Sequence, residues 1–172
     1  LIARRVRDLN VYSEMVPCDI SADELAAMAP AAIILSGGPA SVYADDAPDM
    51  DGRIFELGVP ILGFCYGQQI MAVKLGGKVG HTEKGEYGPA ELCRCGESRI
   101  LAGTPGSQTV WMSHRDAVSD VPAGFSVTST TETCPIASME DASRRFYATQ
   151  FHPEVRHTAC GQAMLENFLF GI

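Results

Sequence analysis

The chain predicts an α/β fold: a doubly wound, mostly parallel sheet flanked by helices, with a small antiparallel extension. Three observations carry this expectation. Short continuous apolar runs, residues 32–35 and 59–62, alternate with helical segments, the order expected of parallel strands buried on both faces. The second run breaks directly into Gly63-Phe64-Cys65-Tyr66-Gly67 and then into a helix, a strand–turn–helix junction. From Lys78 onward the pattern changes to short strands separated by Gly, Pro and Asp.

Residues 1–9 read as the last part of a helix with a basic face of Arg4, Arg5 and Arg7. Residues 11–16 read as a strand. Ser21-x-x-Glu24 is a capping box that opens a short helix to Met28. The apolar strand 32–35 ends in Ser36-Gly37-Gly38-Pro39. A helix is expected over 48–57, stopped by Gly58. Residues 66–75 continue as a helix, and Gly76 can cap its end. In the extension, strands are expected near 89–94, 110–112, 126–131 and 135–139. Phe146-Tyr147-Ala148-Thr149 is a further apolar run. The closing helix, 158–170, would pack Met164, Leu165, Phe168 and Leu169 inward.

At 172 residues the chain reads as one domain with a full core. A net charge of −8 argues against nucleic acid and against an anionic membrane surface. The longest apolar run, 26–35, is interrupted by Pro30 and is far too short to span a bilayer. No charged-then-apolar leader is visible. Six cysteines without regular spacing read as free thiols in a reducing cytosol, so a cytoplasmic location is expected. Cys93-x-Cys95 is the only close pair, and no second pair follows it; two alternating strand residues are the better reading, and no metal is expected.

The chemistry is concentrated at two places. Glycines two before and two after Cys65 permit a turn too tight for side chains, placing the cysteine at its tip in a strained conformation with its sulfur exposed. The following helix points free amides and the positive end of its dipole at that sulfur, which favours a thiolate. A buried cysteine beside glycines is also ordinary core packing, so the motif alone does not decide. Near the other end, Gln150-Phe151-His152-Pro153-Glu154 closes an apolar run. Residues two apart on a strand project the same way, so His152 and Glu154 can act together, and Pro153 stiffens the geometry. A thiol nucleophile needs a base, and the base needs a group to hold its ring. Cys65, His152 and Glu154 supply those roles. Sites in open α/β sheets form at strand carboxyl ends, which is where Ser36-Gly37-Gly38, Cys65 and His152 all fall. Amides of Gly37, Gly38 and Tyr66 could then form an oxyanion hole.

Two phosphate motifs fail. Gly80-x-x-x-x-Gly85 is followed by Glu86 where a phosphate-binding loop needs Lys. Ser36-Gly37-Gly38-Pro39-Ala40-Ser41 only loosely resembles the loop of ATP pyrophosphatases, with Ala40 where that loop has Asp.

Together these residues resemble the class I (triad) glutamine amidotransferases, which are flavodoxin-like, over the whole chain. The closest likeness is to the amidotransferase domains of GMP synthetases. It rests on Leu35-Ser36-Gly37-Gly38-Pro39-Ala40-Ser41-Val42-Tyr43, Gly85-Glu86-Tyr87-Gly88, Val110-Trp111-Met112-Ser113-His114, and His152-Pro153-Glu154-Val155 followed by His157-Thr158. The resemblance implies hydrolysis of L-glutamine through a γ-glutamyl thioester on Cys65. His152 would be base and then acid, Glu154 its orienter, and the amides of Gly38 and Tyr66 the oxyanion hole. Gly37, Gln69, Ser113 and Asp116 would bind the glutamine.

The resemblance also implies that the ammonia passes to an ATP pyrophosphatase (synthetase) domain or subunit, which aminates XMP to GMP. No cofactor is expected in this domain, with ATP and Mg confined to the synthetase. Residues 1–172 are expected to be one amidotransferase domain lacking its first strand and its synthetase. Arg115 stands where a small residue, often Gly, is expected; at a positive φ it would cost about 1–2 kcal/mol, and it could crowd the pocket. Two other readings stay open: a glutaminase for another acceptor (anthranilate, aminodeoxychorismate or carbamoyl phosphate synthesis), and a non-catalytic partner-binding subunit.

Overall fold

The structure, a computed structural model, describes residues 1–82 and 84–172. Helix α1 spans Ile2–Asp8 and α2 spans Ala22–Ala27. The capping box forms as expected: Glu24 N–H donates to Ser21 Oγ at 3.2 Å, and Ser21 N–H donates to Glu24 Oε2 at 3.1 Å. Strand β1 is Ile33–Leu35 and β2 is Ile61–Phe64. Helix α3, Tyr66–Lys74, follows β2 across a single residue, Cys65. Then come β3 (Lys78–Arg94), β4 (Ser107–Asp120), β5 (Ser126–Thr130), β6 (Ser138–Asp141), β7 (Phe146–Thr149) and the closing helix α4 (Gly161–Gly171).

Among the described residues the strands form one sheet in the order β1-β2-β7-β6-β5-β3-β4. β1, β2 and β7 run parallel, and every other neighbour pair is antiparallel. Alternation along β2 and β7 splits the core into two faces. Leu62, Phe64 and Tyr147 pack with Met164, Leu165 and Phe168 of α4, with Ile2 and Leu9 at the margin. Ile61, Phe146 and Ala148 pack on the other face with Leu25, Phe55, Met71 and Ala72. The parallel strands are thus covered on both sides by helices. That is the doubly wound arrangement the apolar runs predicted.

Four expectations differ from what forms. Residues 11–16 form no strand and join no ladder among the described residues, and Tyr12 and Met15 are exposed. Their backbone is tied to α1 instead, with Arg7 donating to Ser13 O at 2.8 Å and Ser13 Oγ to Ala3 O at 3.2 Å.

The helix expected over 48–57 is a single 3₁₀ turn, Gly52–Glu56. Asp51 accepts from Arg53 N–H and from Ala22 N–H, each at 3.0 Å; a side chain serving the backbone in this way competes with an α-helix.

The strands expected near 89–94 and 110–112 are parts of one long ribbon, of 17 and 14 residues. Gly85 falls in the register break between His81 and Glu86, while Gly80 and Gly88 stay paired with Ala117 and Met112. Pro89 is tolerated because β3 pairs with β5 only from Cys93 onward, so its earlier part is an edge.

The last helix begins at Gly161, not at 158, because Thr158 is engaged elsewhere: its Oγ1 donates to His152 O at 2.6 Å and accepts from Trp111 N–H at 3.0 Å. No helix among the described residues is long and apolar enough to cross a membrane.

Candidate active site

Cys65 is the only residue between β2 and α3, and its backbone is at φ 51° and ψ −105°. A side chain at positive φ stores on the order of 1–3 kcal/mol of strain, which the surroundings must impose. They do so from both flanks. A Cβ at Gly63 would lie 2.5 Å from Gly67 O, and one at Gly67 would lie 2.3 Å from Leu35 O. Neither position admits a side chain, and β1 is thereby pressed onto the start of α3. The Cys65 N–H donates to Thr149 O at 2.8 Å, anchoring the turn to the end of β7.

Because β2 and β7 are parallel neighbours, the segment after β7 lies beside Cys65. His152 N–H donates to Trp111 O at 3.0 Å, and Thr158 holds the His152 carbonyl. Arg5 donates to Glu154 O at 3.0 Å. His157 stacks on Trp111 with ring centroids 4.5 Å apart. This frame fixes the imidazole: His152 Nδ1 donates to Glu154 Oε1 at 2.8 Å, and Cys65 is close enough to bear on its charge. Glu154 is buried.

Gly37 completes the enclosure. A Cβ there would sit 3.1 Å from His152 Cε1 and 3.4 Å from Cys65 Cβ. Gly38 is next to Tyr66, 3.9 Å from its Cβ on the same measure. The Tyr66 amide, first in α3, has no carbonyl within the helix to bond. Cys65 is only 4% exposed, so the expectation of an exposed sulfur is corrected. Besides Gly37 and His152, β4 covers it: Sγ faces the Ser113 carbonyl at 3.7 Å.

Of the remaining residues singled out, Gln69 lies one turn beyond Cys65. Its Nε2 donates to Asp116 O at 2.7 Å and to Gln150 Oε1 at 3.1 Å. Asp116 is buried, and its carboxylate meets His81 in an ion-pair contact, without the alignment of a hydrogen bond. Ser113 reaches Cys65 through its backbone. Arg115 is not at positive φ, a conformation held among described non-glycine residues by Asn10, Ala29, Cys65 and Arg145. The expected strain is therefore absent, and its side chain is exposed. Gln150, His114 and Glu86 also join this neighbourhood through side-chain bonds that their motifs alone did not reveal. A groove of about 510 Å³ is lined by Glu86, Tyr87, Glu91 and Glu132, and Cys65, His152 and Glu154 are not among its lining residues.

Burial works against a charged His152, but the neighbouring Cys65 and Glu154, which favour the charged form, outweigh it and raise the pKa to about 10. The folded chain therefore keeps a proton that the unfolded chain releases near its ordinary 6.5. The stabilisation is full below that value and is lost as pH rises toward 10. We expect the His152 ring resonances to titrate near pH 10 by NMR, and Glu154→Gln to move the midpoint down. An unchanged midpoint in that variant would remove Glu154 as a cause.

The chain has counterparts among known proteins. The sequence model of class-I glutamine amidotransferases matches residues 1–172. A GMP synthase [glutamine-hydrolyzing] of Oleidesulfovibrio alaskensis is 55% identical over 100% of this chain and 34% of its own length. The chain thus spans about a third of the curated relatives it matches. A solved GMP synthase subunit from Thermoplasma acidophilum aligns with a TM-score of 0.88 at 32% identity, covering 98% of this chain and 84% of that one. A glutamine amidotransferase from Thermotoga maritima shares the fold, with a TM-score of 0.69 at 21% identity over 90% of this chain and 70% of that one. The chain belongs to the class I glutamine amidotransferases.

Proposed function

We propose that this chain is the glutaminase part of a GMP synthase. It releases ammonia from L-glutamine for transfer to an ATP pyrophosphatase domain or subunit. His152 already holds the proton that Cys65 gives up, and the thiolate attacks the side-chain amide carbon of glutamine. The amides of Gly38 and Tyr66 hold the oxyanion that forms. His152 returns the proton to the departing nitrogen, ammonia leaves, and a γ-glutamyl thioester remains on Cys65. His152 then takes a proton from water, hydroxide adds to the thioester carbon, and glutamate leaves as the sulfur is expelled. Glu154 keeps the imidazole oriented throughout. Gly37, Gln69, Ser113 and the Asp116 carboxylate surround the amino-acid end of the substrate.

These steps need side chains, backbone amides and water; ATP and Mg belong to the synthetase. There the ammonia displaces AMP from adenylylated XMP to give GMP. The observation that carries this reading is the strained Cys65 lying against a His152 that Glu154 already holds.

The test measures ammonia and glutamate release from glutamine, with and without the ATP pyrophosphatase domain, ATP, Mg and XMP. We expect slow release from the chain alone and stimulated release with GMP in the full system. Ammonia release without GMP would keep the glutaminase and discard this acceptor. No release in either arm from a folded chain would discard the triad.

A further inference from the structure

The stretch of β4 that carries Ser113 and Asp116 lies where its ladder with β3 is broken. His81 pairs with Asp116 and Glu86 pairs with His114, so the register shifts between His81 and Glu86, opposite Arg115. At such a break the sheet's own hydrogen bonds no longer fix the backbone. Side chains replace them. His114 is buried and bonded at both ring nitrogens: Nδ1 faces Asp116 O at 3.1 Å, and Nε2 faces Glu86 Oε2 at 2.9 Å. Glu86 Oε1 accepts from Thr131 Oγ1 at 2.7 Å. Cys134, wholly buried beside this pair, has its thiol pushed up to about 12 by burial and by the Glu86 charge. Glu86, His114 and Cys134 bring their ligand atoms within 4.8 Å of one another. The Glu86 oxygens and the His114 nitrogens are already in use, so the cluster works as a hydrogen-bonded brace.

The carbonyl of Asp116 is the junction. It accepts from His114 on one side and from Gln69 on the other, so β4 is bound to α3, the helix that follows Cys65. We propose that His114, backed by Glu86, is a positioning residue that sets the glutamine pocket by holding the Asp116 carbonyl. This rests on the glutaminase reading above. His114 touches neither Cys65 nor the triad; it acts on the Asp116 carboxylate and the Ser113 carbonyl through the backbone they share. Its loss therefore loosens glutamine binding more than it disturbs the nucleophile.

The test uses the full chain with its ATP pyrophosphatase partner, loaded with ATP and XMP. Two Cys65 reactivities are read beside glutaminase kinetics: alkylation by iodoacetamide, which needs only the sulfur, and inactivation by 6-diazo-5-oxo-L-norleucine, which also needs the glutamine pocket. For His114→Leu we expect KM for glutamine to rise about tenfold, the scale of a lost buried hydrogen bond. Diazo-oxo-norleucine inactivation should slow by a similar factor, and iodoacetamide alkylation should stay within about twofold of wild type. His114→Asn, which keeps a donor for Asp116 O, should recover most of the KM. Glu86→Gln, a milder change, should give a smaller rise in KM with the same pattern.

An unchanged KM in a folded His114→Leu protein would overturn the proposal. So would alkylation falling with activity, or an Asn variant no better than Leu. If His114→Leu does not fold, Glu86→Gln and His114→Asn decide by the same readouts. Wild-type protein that is alkylated at Cys65 yet releases no ammonia would instead indict the glutaminase reading itself.

Discussion

Cys65→Ala should leave the chain folded and reduce glutamine-dependent ammonia release by about 10⁴-fold or more, the scale seen when a lone covalent nucleophile is removed. No neighbouring group replaces it. Among the described residues the other cysteines are Cys18, Cys93, Cys95, Cys134 and Cys160, and none lies in the turn after β2. The same position gives a second, physically separate readout. Because φ is 51°, every side chain there is strained and glycine is not. Cys65→Gly should therefore be inactive yet more stable than Cys65→Ala, by about 1 kcal/mol in denaturant unfolding. Equal stability of the two variants would mean that the surroundings do not impose the strain. Residual ammonia release near wild type in either would remove Cys65 from the mechanism.

Gly161→Ala should be among the most damaging single substitutions outside the triad. A Cβ at Gly161 would lie 1.9 Å from Pro153 O and 2.8 Å from Pro153 C, closer than any non-bonded contact permits. Both partners are backbone, so no rotamer change relieves the clash. Either α4 moves off the sheet, unseating Met164, Leu165 and Phe168, or the 152–154 segment shifts. The cost is on the order of 3 kcal/mol. The second route also moves His152 and Glu154, so we expect lost stability and lost activity together. A folded Gly161→Ala chain with wild-type Tm and glutaminase rate would contradict this packing. Gly171→Ala is the matched control: nothing lies within 4 Å of its added Cβ, so it should change little.

Much of the site was legible because its rules are local. Gly63 and Gly67 lie two residues from Cys65, and the steric exclusion that demands glycine acts over that span, so the tight turn could be read directly. His152 and Glu154 are two apart at a strand end, and period-2 geometry sufficed to pair them. The capping box at Ser21 closes within three residues and formed as written. The longer-range expectations were the ones that needed correction. Residues 11–16 have the composition of a strand, but a strand exists only with a partner to complete its hydrogen bonds, and none lies beside them among the described residues. The punctuation in 78–94 suggested a strand only near 89–94. The ladder carried across it because a register break takes up Gly85, Gly80 and Gly88 stay paired, and an edge tolerates Pro89.

By itself, then, the sequence determined the helix–strand alternation, the Cys65 turn and the His152–Glu154 pairing, because each is set by sterics and periodicity among near neighbours. Only the tertiary structure decided that β2 and β7 lie side by side, and so that Cys65 meets His152. It also decided that β4 folds over the sulfur with the Ser113 carbonyl, burying what local reasoning left exposed. Strand order and register are chosen by hydrogen bonds and burial between distant segments, and no local pattern encodes which distant segment wins.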